Sequence, residues 1–183
     1  MKVLKIKNGT VVTGGKCFSG NVVIADGIIS YVGPDGQDVP ADAEVIDARG
    51  CYVSPGFIDM HTHGAGGADF MDGTVEAYLT AARMHAVHGT TLLYPTTLTS
   101  TNELLFASFD TYRQAVEKNT EGARFGGMHL EGPYFNPVFA GAQDTRYLRN
   151  PRPEEYLEIL DRCPDLARWS FAPELEGSEE FAA

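Results

Sequence analysis

Two short stretches of this chain carry residue types that can do chemistry. The first is Ser54-Pro55-Gly56-Phe57-Ile58-Asp59-Met60-His61-Thr62-His63-Gly64. It opens on a Pro-Gly break, runs through apolar residues and closes on two histidines one residue apart. Alternate residues of a β-strand face the same way, so His61 and His63 point together from the end of a buried strand. Two imidazoles so placed can share one metal ion, and Gly64 lets the chain turn away. The second stretch is His129-Leu130-Glu131-Gly132-Pro133-Tyr134-Phe135. His129 and Glu131 share a strand face, and Gly132-Pro133 breaks the strand directly after the carboxylate. A carboxylate beside two imidazoles makes a donor set for a divalent ion. His129 lies one layer deeper, either as a packed, hydrogen-bonded core histidine or as a group that orients the ligands.

Plainer readings compete at each position. Glu131 alone is an acid at a strand end, and two nearby histidines can be chance. His85 and His88 stand one helical turn apart, a spacing that can bind metal. They close a helix that runs away from the polar strand ends, so a solvated helix end is the better reading. Gly64-Ala65-Gly66-Gly67-Ala68-Asp69-Phe70 is Gly-rich but lacks the Gly-Lys-Ser/Thr of a phosphate loop, which leaves a mobile loop beside the site. The acidic run from Glu174 to Glu180 reads as a solvated connection. Asp59, early in the first strand, reads as structural.

The elements that must position these groups follow from periodicity. Residues 1–53 show short alternating runs and no helical period, which implies a small β-rich domain. Leu4 to Lys7 alternates, Asn8-Gly9 is a turn signal, and Val22 to Ala25, Asp26-Gly27 and Ile28 to Val32 form a hairpin signature. Glu44 to Asp47 and Tyr52-Val53 add two short strands. From residue 54 to 183 strands alternate with helices, which implies a parallel sheet. The strands are Phe57 to His63, Thr90 to Tyr94, Arg124 to Glu131 and Arg168 to Ala172. Between them, Asp72-Gly73-Thr74 caps a helix with a Val75, Tyr78, Leu79 and Ala82 face that ends at Gly89. Ser100 and Glu103 have capping-box spacing before a Leu105, Phe109, Tyr112 and Val116 face. Glu154 to Leu160 is a third helix, and Glu179-Glu180-Phe181 begins another.

Composition narrows the partners. Of 183 residues 43% are apolar, enough for a core, and the net charge of −11 argues against nucleic acid. Met1 to Lys7 alternates apolar and charged residues, unlike a signal peptide. No window approaches the roughly 18 apolar residues of a membrane span, so no membrane partner is expected. Cys17, Cys51 and Cys163 are scattered and match neither a zinc spacing nor a redox pair. They suggest reduced thiols and a cytoplasmic location.

The two polar strand ends also carry a resemblance. Pro-Gly-Phe-Ile-Asp-Met-His-Thr-His-Gly resembles the metal-site strand of the amidohydrolase superfamily. His-Leu-Glu-Gly-Pro-Tyr-Phe, with Asn136-Pro137, Gly141-Ala142-Gln143 and Phe171-Ala172-Pro173-Glu174, is similar to the N-acetylglucosamine-6-phosphate deacetylases in particular. The resemblance implies an α/β fold, a (β/α)8 TIM barrel cut after about four βα units, preceded by part of a small β-sandwich domain. It implies Glu131 as the principal metal ligand, His61 and His63 on a further ion, and Ala142 and Gln143 against the sugar. Some relatives carry histidine where Gln143 stands. The cofactor implied is a divalent ion, Zn2+ first with Fe2+, Co2+ or Mn2+ as alternatives, one or two per site. The partner is a phosphorylated amino sugar, and the assembly a homodimer.

The implied reaction is hydrolysis of N-acetylglucosamine 6-phosphate to glucosamine 6-phosphate and acetate. In the family, two further metal histidines and a catalytic aspartate lie on strands beyond this stretch, so no catalytic residue is assigned here and the 183 residues alone are expected to be inactive. Another amidohydrolase of cyclic amides, or a half-barrel without catalysis, is the alternative. Stopping after a fourth strand is expected to expose that strand's edge and apolar surface, and to drive self-association.

Overall fold

A computed structural model describes residues 2–34 and 36–183; Met1, which opens the alternating N-terminal run, lies outside them. The chain divides into two units, Met1–Pro55 and Gly56–Ala183.

The first unit is one five-stranded sheet: β1 (Val3–Thr13), β2 (Lys16–Ala25), β3 (Ile28–Gly33), β4 (Glu44–Asp47) and β5 (Tyr52–Val53). β1 pairs antiparallel with β2, and β2 with β3. β4 and β5 lie parallel to β1 on its other side. The β2–β3 hairpin turns at Asp26 and Gly27, whose φ values of 48° and 81° are the left-handed pair that matches strand twist. Asn8-Gly9 is not a turn, as the sequence suggested. β1 runs straight through it, with Asn8 at φ 57° and a register shift between Ile6 and Gly9. The Asn8 amide donates to Asp47 on β4, 3.1 Å away, and so ties the irregularity to its neighbour. Val3, Val11, Val22 and Val23 are buried, whereas Ile28, Ile29, Val45 and Tyr52 are exposed.

The second unit is built on parallel strands. They are β6 (Phe57–Thr62), β9 (Thr90–Pro95), β10 (Arg124–Phe125), β11 (Met128–Glu131) and β12 (Leu166–Ser170). β9 lies between β6 and β10, β11 pairs with β12, and a bridge from Thr96 to His129 links the two sets. The strands therefore neighbour one another in chain order. Helices α1 (Val75–Val87), α2 (Asn102–Lys118) and α3 (Pro153–Arg162) separate them, and α4 (Ser178–Ala182) follows. Tyr78, Ala81 and Ala82 of α1, Phe109 and Tyr112 of α2, Leu93, Met128 and Leu130 of the strands and Ile159 of α3 share one buried cluster. No helix among the described residues is long and apolar enough to cross a membrane.

Local chemistry moved several boundaries. Thr74 caps α1 by accepting from the Ala77 amide at 3.2 Å. The cap of α2 is Thr101, which accepts from the Leu104 amide; Ser100 instead donates to the Thr101 carbonyl. On α2 the inward position is Ala115, and Val116 is 45% exposed. The single strand expected from Arg124 to Glu131 is broken at Gly126-Gly127. A Cβ on Gly126 would stand 2.6 Å from the Tyr94 ring, and Gly127 has φ 122°. Strand β12 and helix α3 begin and end one to two residues away from the expected limits.

The Gly-rich segment after His63, expected as a loop, forms a small hairpin, β7 (Gly64–Ala65) with β8 (Ala68–Asp69). Asp69 then caps a 3-10 turn that buries Phe70 completely. Apolar exposure is also placed differently from expectation. It includes β6, where Phe57, Ile58 and Met60 are 57–68% exposed, and also Val87, Val138 and Phe139 outside the strands. Trp169 of β12 and Phe171, just after it, are half-buried against Phe181 of α4, with ring centroids 4.9 Å apart in each pair. The acidic run from Glu174 to Glu180 therefore includes an anchored helix, not only a solvated connection.

Candidate metal centre

His61, His63 and Glu131 converge where β6 and β11 end, with one ligand atom from each within 4.8 Å of the others. His63 Nε2 lies 3.0 Å from Glu131 Oε2, and His61 Nε2 lies 3.8 Å from Oε1. The two imidazoles stand perpendicular, 5.1 Å between centroids. All three side chains keep partial access to solvent.

Each strand end positions its donors differently. On β11, Gly132 has φ 86°, and a Cβ there would stand 2.2 Å from Thr99 Oγ1. The Gly132 carbonyl accepts from the Trp169 indole at 2.8 Å, and the Gly132 amide donates to Ser170. The break directly after Glu131 is thus pinned from two sides. On β6, the His61 amide donates to Asp59 Oδ1 at 3.0 Å and the Thr62 amide to Thr96 Oγ1 at 3.1 Å. The His63 carbonyl accepts from the Phe70 amide at 2.8 Å.

The tautomer of His63 follows from its second contact. Its Nδ1 lies 3.2 Å from the Thr96 carbonyl, which can only accept, so Nδ1 carries a proton. In the form that binds a metal, with no proton on Nε2, the ring presents the Nε2 lone pair toward the Glu131 carboxylate. Two acceptors facing each other at 3.0 Å suit a cation held by both. Two imidazole nitrogens and a carboxylate oxygen are a donor set for zinc or another first-row divalent ion. The residues present therefore fit a divalent ion.

His129 is fully buried, with Nδ1 3.2 Å from Thr96 Oγ1 and Nε2 2.8 Å from Ser170 Oγ. Burial, helped by Arg168, His61 and His63, pushes it down to about 4, so it is neutral at pH 7. Its ring stands 5.1 Å from that of His61. It is packed and hydrogen-bonded, and one of its partners is the threonine that fixes His63. Ala142 and Gln143 line a cleft of about 570 Å³ together with His63 and Glu131. Phe135, Phe139 and Asp69 also line it. Gln143 Oε1 accepts from the Thr99 amide at 2.8 Å.

Two groups escaped the sequence reading. Thr96 touches both donor strands, and a signal for it was available: Tyr94-Pro95-Thr96-Thr97 is a third polar strand end. His85 is not a solvated helix end. Its Nε2 lies 3.2 Å from Thr62 Oγ1, its Nδ1 lies 3.7 Å from Asp59 Oδ2, and its side chain is only 15% exposed. It stands in the last turn of α1 and faces β6. His88, at the helix end itself, is exposed and bonds the Met84 carbonyl. Asp59, read as structural, holds the His61 amide.

Parallel strands ending in a His-His-Glu set make an α/β unit with a candidate metal centre, and comparison with known proteins narrows its kinship. Residues 44–98 match the Amidohydrolase family. The N-acetylglucosamine-6-phosphate deacetylase of Bacillus subtilis is 33% identical over 150 residues, 80% of this chain and 38% of the relative. The N-acetylgalactosamine-6-phosphate deacetylase of Escherichia coli O157:H7 is 31% identical over 156 residues, 85% of this chain and 40% of the relative. The crystal structure of N-acetylglucosamine-6-phosphate deacetylase from Pasteurella multocida superposes with a TM-score of 0.87 at 26% identity, covering 98% of this chain and 47% of that one. A mutant of the Mycobacterium smegmatis enzyme in complex with N-acetyl-D-glucosamine-6-phosphate gives 0.84 at 29% identity, covering 98% and 45%.

The chain is similar to the N-acetylglucosamine-6-phosphate deacetylases over most of its own length, and residues 44–98 are similar to the Amidohydrolase family. It has the amidohydrolase fold and spans about two fifths of the length of these curated relatives.

Proposed function

We propose that this chain supplies the metal-binding strands of a deacetylase that hydrolyses the acetamide of N-acetylglucosamine 6-phosphate to glucosamine 6-phosphate and acetate. The observation that carries the reading is the meeting of His61, His63 and Glu131 at adjacent strand ends in a chain with this similarity. Residues 1–53 are read as part of a small β-sandwich domain, and 54–183 as the first half of a (β/α)8 barrel. The sheet with an uncovered apolar face and the parallel strands in chain order support that division.

His61, His63 and Glu131 hold the ion, and zinc is favoured by the two imidazoles. Such an ion, when bound, polarises an amide carbonyl and brings the pKa of water to about 7. Glu131 supplies the negative charge. His63, its Nδ1 proton on Thr96, offers Nε2 in one fixed orientation. His129 is held neutral and adds no positive charge beside them. Ala142 and Gln143 meet the sugar. Gln143 Oε1 is taken by the Thr99 amide, which leaves its NH2 donors for a hydroxyl. A cytoplasmic location fits three free cysteines, and a homodimer follows the family resemblance.

The test is metal-dependent acetate release by a full-length relative that carries these two strands, with N-acetylglucosamine 6-phosphate and N-acetylgalactosamine 6-phosphate compared; the 183-residue chain alone is expected to release none. The reading expects release that a chelator abolishes and that favours the glucosamine substrate. Release unaffected by chelation or by Glu131→Gln contradicts it.

A further inference from the structure

We propose that Thr96 is the positioning residue of the metal centre: its hydroxyl and peptide groups clamp the slipped end of β6 and so aim His61 and His63. The inference rests on the metal-centre reading above. On β6 and β9, Asp59 pairs with Leu93 and Thr62 with Pro95, so three residues advance on β6 against two on β9. An extra residue of this kind takes backbone groups out of the ladder and re-aims the side chains beside it.

The displaced amides are those that flank the ligand pair. The His61 amide goes to Asp59 Oδ1, and the Thr62 amide goes to Thr96 Oγ1. Thr62 lies between the two histidines, so the peptide planes on either side of it set the directions of both imidazoles. The Thr96 amide returns a bond to the Thr62 carbonyl at 2.9 Å, which grips Thr62 on both sides. The Thr96 carbonyl takes the His63 Nδ1 proton. The same hydroxyl donates to the Tyr94 carbonyl at 3.2 Å and lies 3.2 Å from His129 Nδ1 on β11. One fully buried side chain thus ties β6 to β11, the two strands that carry the donors.

Valine has the shape of threonine without the oxygen. Thr96→Val keeps the peptide bonds of residue 96 but leaves the Thr62 amide and His129 Nδ1 facing a methyl group. Buried polar groups stripped of a partner do not stay in place unchanged. Loss of a group that orients metal ligands commonly costs about 10–100-fold in metal affinity.

The experiment is a Co2+ titration of the 183-residue chain, read by visible absorption, with wild type, Thr96→Val, Thr96→Ser and Ser108→Ala. The proposal expects Thr96→Val to bind about 10–100-fold more weakly with an altered spectrum. Thr96→Ser, which keeps the oxygen, should return close to wild type. Ser108→Ala removes a buried hydrogen bond to the Leu105 carbonyl in α2, away from the donors, and should leave affinity and spectrum unchanged. If Thr96→Val does not fold, Thr96→Ala removes the same oxygen and is read in its place. Thr96→Val (or Thr96→Ala) with wild-type affinity and spectrum overturns the proposal, as does a Ser108→Ala variant that reproduces the loss. A wild-type chain that gives no Co2+ spectrum overturns the metal-centre reading, and this proposal with it.

Discussion

Strands β6 and β11 both end in candidate metal donors, yet they are built in opposite ways. On β11 the three residues before Glu131, namely Met128, His129 and Leu130, are all fully buried. The ladder to β12 is regular from His129 to Glu131, and a glycine that accepts no Cβ follows. On β6 the residues before the histidines are largely exposed, the ladder slips, and side chains of Asp59 and Thr96 replace it. Packing places the carboxylate, whereas hydrogen bonds place the imidazoles. Perturbing the core near β11 should therefore cost stability, and perturbing polar groups near β6 should cost ligand geometry.

The largest expected stability effect is Leu130→Ala. Leu130 is fully buried, and truncating such a leucine costs about 2–5 kcal/mol. Urea denaturation measures it, and a loss below about 1 kcal/mol would erase the contrast between the strands. Gly132→Ala comes next, at about 1–3 kcal/mol, because its Cβ meets Thr99 Oγ1 at 2.2 Å in a left-handed backbone. Thermal unfolding reads that change, and an unaltered Tm contradicts it.

A pH effect sharpens the same side of the comparison. Tyr134, just after Gly132-Pro133, donates to Glu155 Oε2 at 3.0 Å and stacks on Trp169. Burial pushes the Glu155 carboxyl up, but hydrogen bonds from Arg149 and Asn102, the Arg149 charge and the Tyr134 bond outweigh it and hold the group below its ordinary 4.5. A carboxylate with a depressed folded value contributes stability that is fully present above 4.5 and lost as pH falls through the folded value. Glu155→Gln should flatten the loss of stability on acidification below that point. An acid limb identical to wild type would show that this network does not anchor the segment after β11. The smallest effect belongs to Ile58→Ala on β6. Ile58 is 60% exposed, so the loss in this chain should stay within about 1 kcal/mol. A loss as large as that of Leu130→Ala would mean that both strands are held by packing.

The donors were legible in the sequence because strand parity and a strand-breaking Gly-Pro leave a visible mark. His61, His63 and Glu131 stand at strand ends where apolar runs turn polar. What holds them was not legible. Parity reasoning assumes a regular ladder, and the slip between Asp59 and Thr62 leaves no trace in the pattern of residue types. Thr96 stands at a third polar strand end, a mark that singles out the position, but its role depends on which strands become neighbours. His85 was misplaced because direction along a helix says nothing of which way one ring reaches. The break at Gly126-Gly127 depends on the Tyr94 ring and Ala167, contacts that arise only on packing. The hairpin at Asp26-Gly27 was legible because its turn chemistry is local, while Asn8-Gly9 carries the same kind of signal and is overruled by its bond to Asp47.

The central claim is that His61, His63 and Glu131 together bind a divalent ion. It is tested most directly by elemental analysis of the purified chain after equilibration with Zn2+ and removal of free metal. Wild type is compared with Glu131→Gln and with the double variant His61→Asn, His63→Asn, each checked for folding by circular dichroism. The account predicts at least one Zn2+ per wild-type chain, and a marked fall in both variants while they remain folded. Equal metal content in wild type and folded variants would contradict it.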